Sequence, residues 1–339
     1  MTEPVAAHDD VETWREGRFL RVRLARPHAL NALTPGMLWR LREAIDSVHP
    51  LGLAGILLDG AGERGLCAGG DIKLIASMSQ DAATEFWRLE YAVNLAISRV
   101  DFPFVALMDG IVMGGGVGVS AHGNLRVVTE RSRVAMPEVA IGLAPDVGGL
   151  FLCANAPGRL GDHLALTGHV MSGADAVYCG FADAWVPSKH LRTLSTALTH
   201  EHSDPRALVE RYAERVPSDL AEQRGWIDEC YSAATLSEVV VLLEDYPDAR
   251  ANEAARIIRA ASPSAVAVTF EALARARRAS GLAEVLQQDL RVSSAMLRRN
   301  DLREGIRAKV IDKDQNPRWV PARFEDVTEA EIADILAGH

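Results

Sequence analysis

No two cysteines lie close enough in the chain to suggest a metal knuckle or a redox motif. The four present, Cys67, Cys153, Cys179 and Cys230, are far apart with no CxxC, so they read as free thiols filling space in a reducing compartment. The ten histidines include no HExxH, and His200 and His202 sit in a polar run, THEHSDP, that reads as a solvated loop. No metal site is expected. No apolar run approaches the roughly 18 residues of a membrane span, because Arg, Asp or Gly interrupts every candidate. The start, MTEPVAAHDDVETW, lacks the basic residues and apolar stretch of an export signal. Basic residues are also outnumbered, 36 against 46 acidic, and a net charge of -10 opposes binding to nucleic-acid backbones or anionic membranes. An anionic ligand would need a local basic patch. The expectation is a cytoplasmic protein.

With 48% hydrophobic and 24% charged residues, the 339-residue chain has ordinary globular composition and length enough for one core with a helical extension. The first half alternates short strand-like runs with helical ones. Phe19 to Ala25 shows period-2 alternation and stops at Pro27. Thr34-Pro35 supplies an N-cap and first-turn proline for a helix whose apolar face is Met37, Leu38, Leu41, Ala44, Ile45 and Val48, ending before Pro50. Residues 53–59, 104–108 and 125–129 are near-continuous apolar runs, suited to a sheet covered on both faces. Strand and helix in alternation predict an α/β core over 1–186. Beyond Val186, prolines divide a series of helix-period stretches, the longest at 263–279 and 281–299, which predicts a helical region over 187–339. The segment EDYPDAR, 244–250, reads as a surface loop, and no internal repeat is present.

Three segments could carry chemistry. Gly65 to Ile72, GLCAGGDI, has adjacent glycines whose N–H groups can converge on an anion or a carbonyl oxygen; a plain turn is the competing reading. Asp109 to Ser120, DGIVMGGGVGVS, leads from a strand into a helix, offering free N–H donors at the positive end of a dipole; close helix-to-sheet packing would need the same missing side chains. Ala135 to Gly149, AMPEVAIGLAPDVGG, sets Glu138 and Asp146 among apolar residues, where desolvation would raise a carboxyl pKa towards proton-transfer range; a helix cap for Asp146 and an exposed Glu138 is the alternative. Two further patterns are weaker. Gly60 to Gly65 has GxGxxG spacing, but small residues rather than a helix follow it, so it reads as a turn and not a nucleotide site. Ser120 near His122 lacks a GxSxG elbow and reads as a helix-end serine.

In their order and spacing the three segments resemble the crotonase superfamily of acyl-CoA enzymes. The resemblance implies a spiral of ββα turns with a helical C-terminal region, and a thioester oxygen held by the amides of Gly70 and Gly115. It also implies that Asn31, Ala32, Leu33 and Ala68 to Lys73 border the coenzyme A moiety, with Arg26 and Lys73 facing its phosphates. Enoyl-CoA hydratases of the superfamily carry one glutamate just after the glycine cluster and another in a PE motif. Here Gly118 stands at the first position and Glu138 at the second. The runs MGGGVGVS, AMPEVAIGLAPDVGG, LALTG and EGIRAKVIDKDQNPRW are instead similar to the 3-hydroxyisobutyryl-CoA hydrolases. That likeness implies a substrate site of Glu90, Gly115, Glu138 and Asp146. It implies thioester hydrolysis of a short 3-hydroxyacyl-CoA in valine breakdown, with no cofactor beyond the coenzyme A of the substrate. Glu138 would act as base or as nucleophile, and Asp146 would orient the substrate hydroxyl or protonate the thiol. A homo-oligomer is implied by the superfamily resemblance, whose helical C-terminal region often mediates trimers. A hydratase or isomerase, and a non-catalytic acyl-CoA-binding protein, are the competing readings.

Overall fold

Two sheets of unequal size are wound by a repeated excursion of the chain. The computed structural model describes residues 10–339; residues 1–9, which hold most of the acidic start discussed above, lie outside them. The strands are β1 (Val11–Glu16), β2 (Phe19–Leu24), β3 (Gly55–Gly60), β4 (Gly65–Cys67), β5 (Phe104–Met108), β6 (Ile111–Met113), β7 (Leu125–Val128), β8 (Arg133–Ala135), β9 (Met171–Ser172) and β10 (Ala184–Trp185). The larger sheet runs β1-β2-β3-β5-β7-β10, and the smaller β4-β6-β8-β9. The pairs β3–β4, β5–β6 and β7–β8 each send their first strand to the larger sheet and their second to the smaller, and a helix or helical turn follows each pair. This is the crotonase spiral of ββα turns. Parallel pairing of β2, β3, β5, β7 and β10 follows from these crossovers.

The apolar runs are continuous because both faces of the larger sheet are covered. Ile56, Leu58, Phe104 and Ala106 join the main core, which draws residues from Val11 to Leu336. Leu57, Val105, Leu107 and Val127 point the other way, onto Leu194, Leu198 and Leu208 of the helices Leu191–His200 and Pro205–Tyr212. The helix Pro35–Ser47 starts as its sequence predicts, with the Thr34 hydroxyl accepting from the Met37 N–H and Met37, Leu38, Leu41, Ala44 and Ile45 buried.

Of the local readings, that of Gly60 to Gly65 holds and that of the 244–250 loop is corrected, while the first strand had gone unread. Val11–Glu16 is an antiparallel edge strand with no legible pattern, since only Val11 is buried along it. Gly60 closes β3 and Gly65 opens β4, so the GxGxxG spacing spans a passage between sheets and leads into no helix. The expected loop at 244–250 contracts to 246–248: the helix Leu236–Asp245 runs up to Tyr246, and Asp248 caps the next helix by accepting from the Arg250 N–H. The helices Pro263–Ala276 and Leu282–Leu297 follow, the second packed against the helix Gln80–Ser98.

Candidate active site

The glycine segments meet where β4 and β6 end. Leu33 donates its N–H to the Gly69 carbonyl (2.8 Å) and accepts from the Asp71 N–H (2.9 Å). This short parallel bridge uses the residues on either side of Gly70 and leaves the Gly70 N–H facing away from it. Gly114 takes φ 50°, ψ -120°, a conformation suited to glycine, and so turns the chain from β6 into the helix Gly115–Ser120. The first N–H groups of that helix have no intrahelical acceptor. A Cβ built on Gly115 would stand 3.2 Å from the Gly70 nitrogen and against the Glu90 carboxylate. The two amides therefore flank one small volume, the arrangement an oxyanion hole requires.

Three acids converge on the same volume. Glu90 comes from the helix Gln80–Ser98, Glu138 from the helical turn Glu138–Ile141, and Asp146 from the loop that follows; all are buried. Glu138 Oε1 lies 2.9 Å from where a Cβ on Gly114 would stand. Glu138 Oε2 and Glu90 Oε1 have no hydrogen-bond partner among the described residues. Burial, and next the charge of Asp146, hold the Glu138 and Glu90 carboxyls well above the ordinary glutamate range. Burial pushes Asp146 up to about 6, against a hydrogen bond from the Tyr91 hydroxyl (2.6 Å) that favours its ionised form. The site thus gathers three carboxyls that are all shifted upward, a perturbation common among acid–base groups.

Glu90, Gly70, Gly115, Glu138, Asp146, Ala32, Ala68 and Lys73 line one cleft of about 730 Å³, a size suited to a small-molecule ligand. Apolar side chains including Trp87, Leu143 and Ile306 share its wall. Arg26, Asn31 and Leu33 are placed behind that wall. The Arg26 guanidinium donates to the Ala32 carbonyl (2.6 Å) and pairs with Asp71 (3.1 Å) and Asp10 (3.4 Å), so its charge is spent within the fold. The Asn31 amide donates to the carbonyls of Ala61 and Gly65 (both 3.1 Å), and Leu33 is fully buried. Ser120 donates to the Gly116 carbonyl (2.6 Å) and His122 bonds the Val147 carbonyl (2.7 Å), so they form no nucleophile–base pair. A second cavity, of about 540 Å³, is lined by Arg21 and Asp59 and by Arg131 and Asp109, already paired with each other.

Four residues of the site region escaped the sequence reading. Lys309 and Lys313 also line the cleft, and with Lys73 they form no ion pair among the described residues. They arrive on the π-helical turn Arg307–Ile311 and the bend after it, which Arg307 pins through Glu304 (2.8 Å), Asp312 (2.7 Å) and Asp314 (2.6 Å). This is the local basic patch that an acidic protein needs for an anionic ligand. Tyr91, next to Glu90, bonds Asp146, and Asp289 on the helix Leu282–Leu297 accepts from the Gly148 N–H (2.8 Å). Asp289 had a signal: it stands three or four positions from Val285, Leu286, Val292 and Ser293, on the buried stripe of its helix.

The chain is similar to known proteins over nearly its whole length. A profile described as enoyl-CoA hydratase/isomerase matches residues 19–336. The mitochondrial 3-hydroxyisobutyryl-CoA hydrolase of Homo sapiens is 37% identical, covering 98% of this chain and 89% of its own; that of Danio rerio is 38% identical, covering 91% and 84%. Among solved structures, a carnitinyl-CoA dehydratase from Mycobacterium thermoresistibile superposes with a TM-score of 0.93 at 44% identity, covering 97% of each chain. An enoyl-CoA hydratase from Rhodobacter sphaeroides gives 0.90 at 38%, again covering 97% of each. The relatives are mitochondrial by name, which overturns the expectation of a cytoplasmic protein. That expectation rested on unpaired thiols and on the missing export pattern, and neither separates one reducing compartment from another. With a family profile spanning nearly the whole chain, full-length relatives, and a two-amide cradle facing buried acids, the chain belongs to the enoyl-CoA hydratase/isomerase family, the crotonase superfamily.

Proposed function

We propose that this chain hydrolyses the thioester of a short 3-hydroxyacyl-CoA, 3-hydroxyisobutyryl-CoA foremost. One observation carries the choice between hydrolysis and hydration: Gly118, where a hydratase has its first glutamate, leaves no room for a side chain. A Cβ there would stand 2.7 Å from Val147 Cβ and 2.9 Å from Asn94 Nδ2. The second carboxylate that hydration calls for at this position is missing and sterically shut out, while Glu138 remains beside the cradle. The names of the full-length relatives support the same substrate.

In this reading the thioester oxygen accepts from the Gly70 and Gly115 N–H groups. Glu138 supplies the attacking oxygen or takes the proton of an attacking water, and negative charge builds on the oxygen already held. Each such donor is worth about 3–4 kcal/mol in acyl transfer. The intermediate collapses by expelling the coenzyme A sulfur, which leaves as thiolate and takes up a proton. Where Glu138 is the nucleophile, water then cleaves the acyl–Glu138 anhydride and restores the carboxylate, so that by either route thioester and water become acid and free thiol. Asp146 holds the substrate hydroxyl or hands the proton to sulfur. Thiolate is a good leaving group, so the reaction as proposed calls on no cofactor.

The test is release of free thiol from 3-hydroxyisobutyryl-CoA, followed with a thiol reagent, with hydration of crotonyl-CoA measured in parallel. Thiol release without hydration supports the proposal. Hydration without thiol release overturns it and favours the activity named for the two solved structures. The coenzyme A phosphates are assigned to Lys73, Lys309 and Lys313. Replacing Lys309 and Lys313 by alanine should raise KM roughly tenfold or more, each lost charge-assisted contact being worth about 1.5 kcal/mol, with kcat little changed. Unchanged KM at low ionic strength would remove that assignment.

A further inference from the structure

We propose that Tyr91 and Asp289 are positioning residues for Asp146, Tyr91 fixing its carboxylate and Asp289 the strained turn that carries it. The inference rests on the reading above, and on its first alternative, in which ionised Asp146 holds the substrate hydroxyl. Asp146 is followed by Val147 at φ 50° and Gly148 at φ 74°. A β-branched residue in the left-handed region costs about 1–3 kcal/mol and persists only where its surroundings over-determine it.

Four hydrogen bonds do so here. The Tyr91 hydroxyl donates to Asp146 Oδ2 (2.6 Å) and shares a second contact with Ser293 Oγ (3.0 Å). The Gly149 N–H donates to the Asp146 carbonyl (2.6 Å). His122 Nε2 reaches the Val147 carbonyl (2.7 Å), and since a carbonyl only accepts, that nitrogen carries the proton. The Gly148 N–H donates to Asp289 Oδ2 (2.8 Å). Ser293 and Asp289 both belong to the helix Leu282–Leu297, so the C-terminal region reaches under the reacting site and holds it from behind.

The electrostatics make the Tyr91 bond consequential. Glu90 and Tyr91 face Asp146 from the helix Gln80–Ser98, Glu138 from its turn, and Asp289 from the C-terminal helix; each acid disfavours a neighbouring charge. His122 gives no compensating charge, because burial lowers it to about 4. Among the described residues, Tyr91 is the side-chain donor to the Asp146 carboxylate.

The experiment compares the pH dependence of kcat for thiol release in the wild type, Tyr91→Phe, Asp146→Asn and Tyr91→Phe/Asp146→Asn. Tyr91→Phe should move the acid limb up by about one to two pH units, the size of a lost hydrogen bond to a charged group, and so lower the rate at pH 7 by roughly two- to fifteenfold from a wild-type Asp146 at about 6, with recovery towards wild type in alkali. On the Asp146→Asn background it should have no further effect. For Asp289, the Asn variant keeps an acceptor and should retain most of the activity that Asp289→Leu loses. If Asp146→Asn is fully active, the underlying reading of Asp146 fails. If Asp146→Asn is impaired but Tyr91→Phe leaves the limb in place, the positioning role of Tyr91 is overturned. Wild-type activity in a folded Asp289→Leu overturns that of Asp289, and should that variant not fold, the Tyr91 arm decides.

Discussion

Glu138→Gln is expected to suppress thiol release by roughly 10²- to 10⁴-fold, the usual range for a positioned acid–base group, while making the protein more stable at neutral pH. The two effects share one cause. Burial, followed by the charges of Asp146 and Glu90, disfavours the ionised Glu138 carboxyl and raises its pKa in the folded state. In the unfolded chain the same carboxyl titrates in the ordinary range. Below that range both states hold the proton and no stability is lost. As pH rises through the unfolded value, the unfolded chain ionises first and the folded state loses stability, until the raised folded value is passed. A neutral amide removes this decline. The Tm of Glu138→Gln should therefore match wild type near pH 4 and exceed it at pH 7 to 8, in scans paired with the thiol assay. A variant that is inactive and also less stable at pH 7 would point to a structural role for Glu138 instead.

The parts of this site that could be read from sequence are those whose chemistry is contiguous. Gly114 to Gly118 turns a strand into a helix within a few residues, so the free amides and the need for missing side chains are encoded locally. The same holds for Thr34-Pro35 and the helix it starts. The basic end of the cleft was legible only in part, because a basic residue near a motif can serve the fold or a ligand. Arg26 is neutralised by Asp10 and Asp71, and Asp71 is itself the cap of the helix Ile72–Ser77. Lys309 and Lys313, which form no ion pair among the described residues, come from a segment more than 230 residues further on than Lys73, about two-thirds of the chain length away, and only the fold joins them. Asp289 was hidden differently. A charged residue in a helical pattern reads as the wet face, and recognising it as buried requires the stripe of its neighbours to outweigh its own polarity.

Gly115→Ala separates the cradle from the rest of the cleft. Gly115 does not take a positive φ, so alanine can adopt its backbone conformation, and the added methyl acts by contact, displacing the Glu90 carboxylate that it meets. That methyl would stand 3.2 Å from the Gly70 nitrogen and 3.1 Å from Leu33 Cδ1, and against the Glu90 carboxylate. It occupies the place assigned to the thioester oxygen. With one donor worth about 3–4 kcal/mol, and both amides now shielded, kcat should fall by about 10³-fold or more. Free coenzyme A carries no acyl group and, in the proposed pose, is held by Lys73, Lys309 and Lys313. Its Kd, measured by titration calorimetry, should change by less than about threefold, since the substitution removes a transition-state contact and leaves the anion-binding end in place. A fall in kcat with an unchanged Kd locates the loss at the acyl end, in the two amides and the Glu90 carboxylate beside them. A fall in both, with a lowered Tm, means that the methyl has displaced Glu90 and the helix Gln80–Ser98 with it. Near wild-type kcat would show that the oxygen is stabilised elsewhere, and the oxyanion hole assigned to Gly70 and Gly115 would have to be abandoned.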